Sequence, residues 1–172
     1  MIPMLPDVFA PHKVIYPCLV QPYIKGPRTL YQNGVFYGAS PPETLGIILR
    51  DIFPPKVMLD GVFTNAFHVF DVVSYKVPFK DRFDTVYQVL NDTTKYQHGV
   101  IPVITRKVFD EEQAEDQFTF WKSEGHPGMI YRLGNCSYTK PSPKNKFNRC
   151  KQLLLRICEN STPTPTNTKA TE

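Results

Sequence analysis

Apolar and aromatic residues recur along this chain in short runs broken by turn residues, and the spacing within each run separates strands from helices. In "RTLYQNGVFYG" two apolar runs flank Asn33 and Gly34. That pair suits a type I′ turn, whose two central positions need positive φ, so a tight hairpin is predicted. In "SPPETLGIILRDIF", Ser40 and Glu43 have capping-box spacing with Pro41 at the first helical position, which predicts a short helix from about Pro41 to Asp51. "VMLDGVF" and "AFHVFDVVSY" read as strands, and the second is nearly all apolar and therefore central. Phe83, Val86 and Leu90 share one face of a helix over "KDRFDTVYQVL". "GVIPVITRKVF" returns to strand. "DEEQAEDQFTFWKSEG" predicts a third helix whose opening acids suit the positive end of its dipole and which ends near Gly125. "GMIYR" and "KQLLLRI" add two more strands. The order predicts an α+β fold of packed, mostly antiparallel sheets with flanking helices.

Composition narrows this picture. With 172 residues, 41% hydrophobic and 21% charged, the chain fits one substantial core. One domain over residues 1–159 is expected, followed by a flexible Pro/Thr-rich tail over 160–172, too polar to offset its ordering entropy. A net charge of +4 permits binding to nucleic acid or phosphate without demanding it. Its distribution is more pointed: between Tyr138 and Cys158 the chain carries Lys140, Lys144, Lys146, Arg149, Lys151 and Arg156 and no acid. Such a stretch is either a solvated face or a contact for a DNA or RNA backbone, with Tyr138 and Phe147 interleaved. Neither a signal peptide nor a membrane anchor is visible in "MIPMLPDVFAPHKVIYP", so an intracellular protein, in the cytoplasm or a host's cytoplasm, is expected with no membrane partner. Cys18, Cys136, Cys150 and Cys158 lack CxxC spacing and read as thiols rather than a zinc site or disulfide frame.

Five segments, in order, carry a resemblance. "QPYIKGPR" is similar to the motif QPKxDGxR, with Gln21, Pro22, Gly26 and Arg28 in register. "LDGVF" resembles LDGEF and keeps Asp60 and Gly61. "FHVFDVVSY" resembles HVFDxL, with Phe70 and Asp71 in place. "GHPGMIYRLGNCSY" resembles GHEGxMxR and keeps Gly128, Met129 and Arg132, and "QLLLRICEN" resembles LLKxK. Together they resemble the adenylation domain of ATP-dependent DNA ligases, a branch of the covalent nucleotidyltransferases. The match covers roughly residues 14 to 158. "PGMIY" also resembles the DGLIF of capping enzymes, which leaves the ancestry open.

The resemblance implies a lysine nucleophile that attacks the α-phosphate of ATP, carboxylates that hold metal and ribose, and late lysines that neutralise phosphate. This chain departs at those positions. Tyr23 stands at the nucleophile, Lys25 at the motif's aspartate, Val62 and Pro127 at the two glutamates, and Arg156 and Cys158 at the last lysines. Valine and proline offer no side-chain oxygen to Mg²⁺, and an unactivated phenol is a poor nucleophile at neutral pH. The OB-type domain of complete ligases is also not expected here. These losses together point to a catalytically inactive, ligase-like pseudoenzyme, of a kind a virus or phage could carry. It would bind nucleic acid, a nucleotide or a DNA replication or repair protein. Arg28, Asp60, Phe70 and Arg156 are the nucleotide-binding candidates, with ATP the implied nucleotide; Arg132, Lys144, Lys146, Arg149 and Lys151 are the nucleic-acid candidates. No metal ligand is assigned, and His68 reads as a core histidine. The alternative is a divergent, Mg²⁺-using enzyme with Lys25 as a displaced nucleophile, since alternate residues of an extended segment share a face about 6 to 7 Å apart. Glu124 is then the candidate replacement for a lost carboxylate.

Overall fold

The computed structural model describes residues 2–91 and 99–159; the expected tail at 160–172 lies outside the described residues. Among the described residues, ten strands form two five-stranded sheets. The first has the order β1 (Leu5–Val8), β10 (Arg149–Ile157), β9 (Gly128–Arg132), β2 (Cys18–Pro22), β8 (Arg106–Val108). The second runs β4 (Val35–Tyr37), β3 (Arg28–Gln32), β5 (Met58–Phe63), β6 (Phe67–Val72), β7 (Val100–Pro102). Pairing is antiparallel except at β1 with β10 and at β6 with β7. The α+β expectation therefore holds.

Local chemistry explains most of the elements. Asn33 and Gly34 turn the β3–β4 hairpin with φ of 48° and 85°, as the primed turn requires. Helix α1 (Glu43–Ile52) buries Leu45 and Leu49, and α2 (Phe79–Leu90) buries Phe79, Phe83, Val86 and Leu90. These side chains pack with Tyr31, Leu59, Phe67 and Val69 into one core on the outer face of the second sheet. Helix α3 (Glu111–Ser123) seats Ala114 and Trp121 against Val20, Met129, Tyr131 and Leu154 on the outer face of the first sheet. A smaller cluster of Met4, Tyr138, Cys150 and Leu153 ties the N-terminal segment to β10.

Two expectations are corrected. The Ser40 capping box does not form: α1 begins at Glu43 after Pro42, and no side chain caps it. Two consecutive prolines hold the entry extended, and Ser40 lies too far upstream to reach the first free N–H groups. "GVIPVITRKVF" is not one strand. Its first part is β7 of the second sheet and its last part is β8 of the first, so the segment crosses between sheets.

Candidate functional site

The inner faces of the two sheets enclose a cavity of about 330 Å³. The first sheet lines it with Leu5, Gln21, Ile130, Arg132, Leu153 and Leu155, and the second with Arg28, Val62 and Phe70. Tyr23, Ile24 and Gly26 close one side as the chain leaves β2. Gly26 is required by close approach, because a Cβ there would stand 2.6 Å from Val62 Cγ1. Gly61 is tighter still, with a Cβ position 2.2 Å from the His68 carbonyl oxygen. Gly26 thus makes room for the Val62 side chain, and Gly61 lets two strands' backbones meet.

Charge at the cavity is organised into two buried networks. In one, Arg28 donates from Nε to Asp60 Oδ1 at 2.6 Å and from Nη2 to Oδ2 at 2.7 Å. Nη2 also donates to the Met4 carbonyl at 2.8 Å. Tyr138 completes the set, its hydroxyl donating to Asp60 Oδ2 at 2.6 Å and accepting from the Met4 N–H at 2.9 Å. Burial opposes the charge on Arg28, but Asp60 outweighs it and holds the guanidinium more firmly protonated than usual. Burial, and then the Asp60 charge, push the Tyr138 phenol well above its ordinary range. The Arg28 guanidinium lies 4.5 Å from the centre of the Phe70 ring.

The second network joins the sheets. Asp71 accepts from Arg82 Nε at 2.7 Å and Nη2 at 3.0 Å, and from Arg132 Nη1 at 2.9 Å. Arg132 donates its Nε to Gln21 Oε1 at 2.8 Å and Nη2 to the Phe70 carbonyl at 3.2 Å, with Phe79 beneath its plane at 3.8 Å. Gln21 in turn donates to Thr105 Oγ1 at 2.9 Å.

Several sequence assignments move accordingly. Tyr23, Arg28, Phe70, Arg132 and Arg149 line the cavity together. Asp60 does not reach it: the carboxylate is 0% exposed and taken up by Arg28 and Tyr138. Arg132, read as a nucleic-acid contact, is 2% exposed with its donors committed to Gln21, Asp71 and Phe70, so no surface backbone can use it. Arg156 faces away from the cavity. Alternate residues Leu153 and Leu155 point inward, so Arg156 lies on the opposite face of β10, where it pairs with Glu115 of α3 and packs on Phe118. Lys25 is exposed and absent from the lining, whereas Tyr23 and Ile24 stand in the wall in succession. Glu124 is the exposed C-cap of α3. His68 is partly exposed and meets the Thr64 hydroxyl at 3.1 Å, so it is not a sealed core residue. Lys144, Lys146, Arg149 and Lys151 are all exposed.

The lining contains no carboxylate, and among the described residues no group of three or more His, Cys, Asp or Glu side chains could hold a metal ion. Mg²⁺ asks for hard oxygen ligands, and the nearest carboxylates, Asp60 and Asp71, are already neutralised by arginines. The residues present do not fit that ion.

This architecture matches solved structures over almost its whole length. The chain aligns with a Chlorella virus DNA ligase-adenylate at a TM-score of 0.67 and 17% identity, covering 92% of this chain and 69% of that one. The fold is that of a DNA-ligase adenylation domain. A Lig E DNA ligase, described as binding DNA with a minimal scaffold, matches with a TM-score of 0.71 and 12% identity over 92% of this chain and 69% of its own. The ATP-dependent DNA ligase of bacteriophage T7, in complex with ATP, matches with a TM-score of 0.61 and 10% identity over 92% and 69%. In longer ligases the share falls, to 46% of a Pmar-Lig chain. At sequence level no protein-family model and no curated protein matches.

Gln21, Asp71 and Arg82 organise the site without having been assigned roles from sequence, and Tyr138, read as an aromatic in the basic stretch, is buried at 3% exposure instead. Gln21 and Asp71 stood inside the quoted motifs, but nothing in the local pattern of Arg82 or Tyr138 reveals a partner 11 or 78 residues away.

Proposed function

We propose that this chain is a ligase-like protein that has given up nucleotidyl transfer and binds a nucleic-acid backbone. One observation carries the reading: the cavity between the sheets presents no lysine amine and no carboxylate, while Val62, Ile130, Leu153 and Leu155 make its walls apolar. Adenylation needs an amine close to the α-phosphate and charge to stabilise the transferring group, and ångström-scale misplacement is costly. Tyr23 stands where the resemblance places the nucleophile, and Lys25 is outside the cavity. The chain nonetheless keeps exposed cations. Lys140, Lys144, Lys146 and Lys151 make no salt bridge among the described residues, so their charge is available to phosphates. Ligases of this fold include one described as binding DNA, which supports the same class of partner here.

Two measurements test the reading. Incubation with radiolabelled ATP and Mg²⁺ or Mn²⁺ is expected to leave no covalently labelled protein. A labelled band that disappears in Lys25→Ala and persists in Tyr23→Phe overturns it. Binding to oligonucleotides is expected to weaken steeply with salt, because phosphate contacts release counterions; salt-insensitive or absent binding removes nucleic acid as the partner.

A further inference from the structure

Phe147 is 71% exposed, at the tip of the turn Asn145–Lys146–Phe147–Asn148. Exposed phenylalanine rings usually sit on loose segments, where they can fold back. Here the segment is not loose, because hydrogen bonds hold the turn on both sides of the ring. Asn148 N–H donates to the Asn145 carbonyl at 3.0 Å, and Asn145 N–H donates to the Ser142 carbonyl at 2.9 Å. The Asn145 side chain grips Arg149 at both ends of its amide, donating to the Arg149 carbonyl and accepting from the Arg149 N–H, both at 2.9 Å. Asn148 is 0% exposed, with φ of 50°, and donates to the Ile2 carbonyl at 3.1 Å. The backbone that carries the ring is therefore held from both sides, and the ring projects from it into solvent. On either side of it in sequence stand Lys144, Lys146, Arg149 and Lys151, all exposed, and no acid occurs in the sequence between Glu124 and Glu159.

We propose that Phe147 is a stacking platform for a nucleobase exposed from its helix, and that the protein therefore favours single-stranded DNA, or the frayed end of a duplex, over a fully paired duplex. The inference rests on the reading of the basic stretch as a backbone contact. It adds which form of nucleic acid is preferred. A stacked base in a duplex hides both faces, whereas every unpaired base offers a π-face to an aromatic ring. The cations on either side in sequence can follow the phosphates of the same strand. Because the backbone of the turn is already ordered, binding there costs less loop entropy than on a loose segment.

The test is fluorescence anisotropy with labelled oligothymidylate of about 16 nucleotides, at the upper end of single-strand site sizes, and a blunt duplex of the same length. The full chain is expected to prefer the single strand. Phe147→Ala is expected to weaken single-strand binding roughly 5- to 100-fold, the worth of one stacked base, with duplex binding unchanged. Phe147→Trp should retain the preference. Lys146→Ala should instead weaken both forms and lower the salt slope by about one. Because the ring is exposed, circular dichroism and the thermal midpoint of Phe147→Ala should match the parent. Salt-sensitive binding with no single-strand preference, or an equal effect of Phe147→Ala on both forms, overturns this inference and leaves the backbone-binding reading standing. Absence of binding to either form overturns both.

Discussion

Asp71 is one carboxylate between two buried guanidiniums, so this network carries a net positive charge in a buried position. Removing either partner has unequal consequences. Asp71→Asn strands Arg82 and Arg132 together, and breaking a buried pair from one side typically costs about 3–5 kcal/mol. Arg132→Met leaves Asp71 and Arg82 as a neutral pair and should be the milder change, although Gln21 and the Phe70 carbonyl each lose a donor. Urea denaturation of the two variants checks the order, and a more stable Asp71→Asn protein refutes it. His68 supplies a pH dependence of opposite origin. Burial first, and then the charge of His126, lower its pKa below the ordinary 6.5. The unfolded chain thus takes up this proton near pH 6.5 while the folded chain still resists it, so the contribution of His68 to stability falls as pH drops below that value. His68→Gln is expected to flatten the fall in unfolding midpoint between pH 7 and about 5. Arg28, Asp60, Phe70, Asp71 and Arg132, all inside the quoted motifs, lie at or behind the cavity. Their roles were less legible. A charged residue in a motif reads as a ligand contact, yet Asp60 spends its charge on Arg28 and Tyr138, and Arg132 on Asp71 and Gln21, inside the protein.

Among elements, two capping patterns give a direct lesson. Ser40 with Glu43 has the expected spacing and does not cap α1. Asp110 with Gln113 does cap α3: the Asp110 carboxylate accepts the Gln113 N–H at 2.9 Å, and Gln113 Oε1 accepts the Phe109 N–H at 3.1 Å. The reading of α3 from its acidic first turn was correct in place but credited the dipole, when a specific side-chain bond fixes the boundary. Asp110→Ala is expected to cost about 1 kcal/mol, read as a shift in the denaturation midpoint with an unchanged slope. Asp110→Asn, which keeps an acceptor oxygen, should recover most of the loss. The same limit explains the division of "GVIPVITRKVF". Its apolar pattern is continuous, but β7 pairs with β6 and β8 with β2, and the choice of partner is made by tertiary geometry, not by the segment's own period.

For the whole molecule, the fold is closed by contacts between residues far apart in sequence. Tyr138 is the clearest case: its hydroxyl bonds Met4 of the N-terminal segment and Asp60 of β5, spanning 134 and 78 residues. It joins the edge of the first sheet to the middle of the second. Tyr138→Phe removes the donor to Asp60 and leaves the buried Met4 N–H without its acceptor, a loss of about 1–3 kcal/mol. Where that loss appears depends on how the cores are coupled. Tyr138 packs with Met4, Cys150 and Leu153, whereas Cys18 lies in the separate cluster under α3, where burial pushes its thiol up to about 11. If these clusters open independently, Tyr138→Phe should speed the labelling of Cys150 by a thiol reagent and leave Cys18 at its parental rate. Cys158, only partly buried, should react first in both proteins. Equal acceleration at Cys18 and Cys150 would show instead that the N-terminal strand holds both sheets in a single cooperative unit, and that β1 opens only with the whole domain.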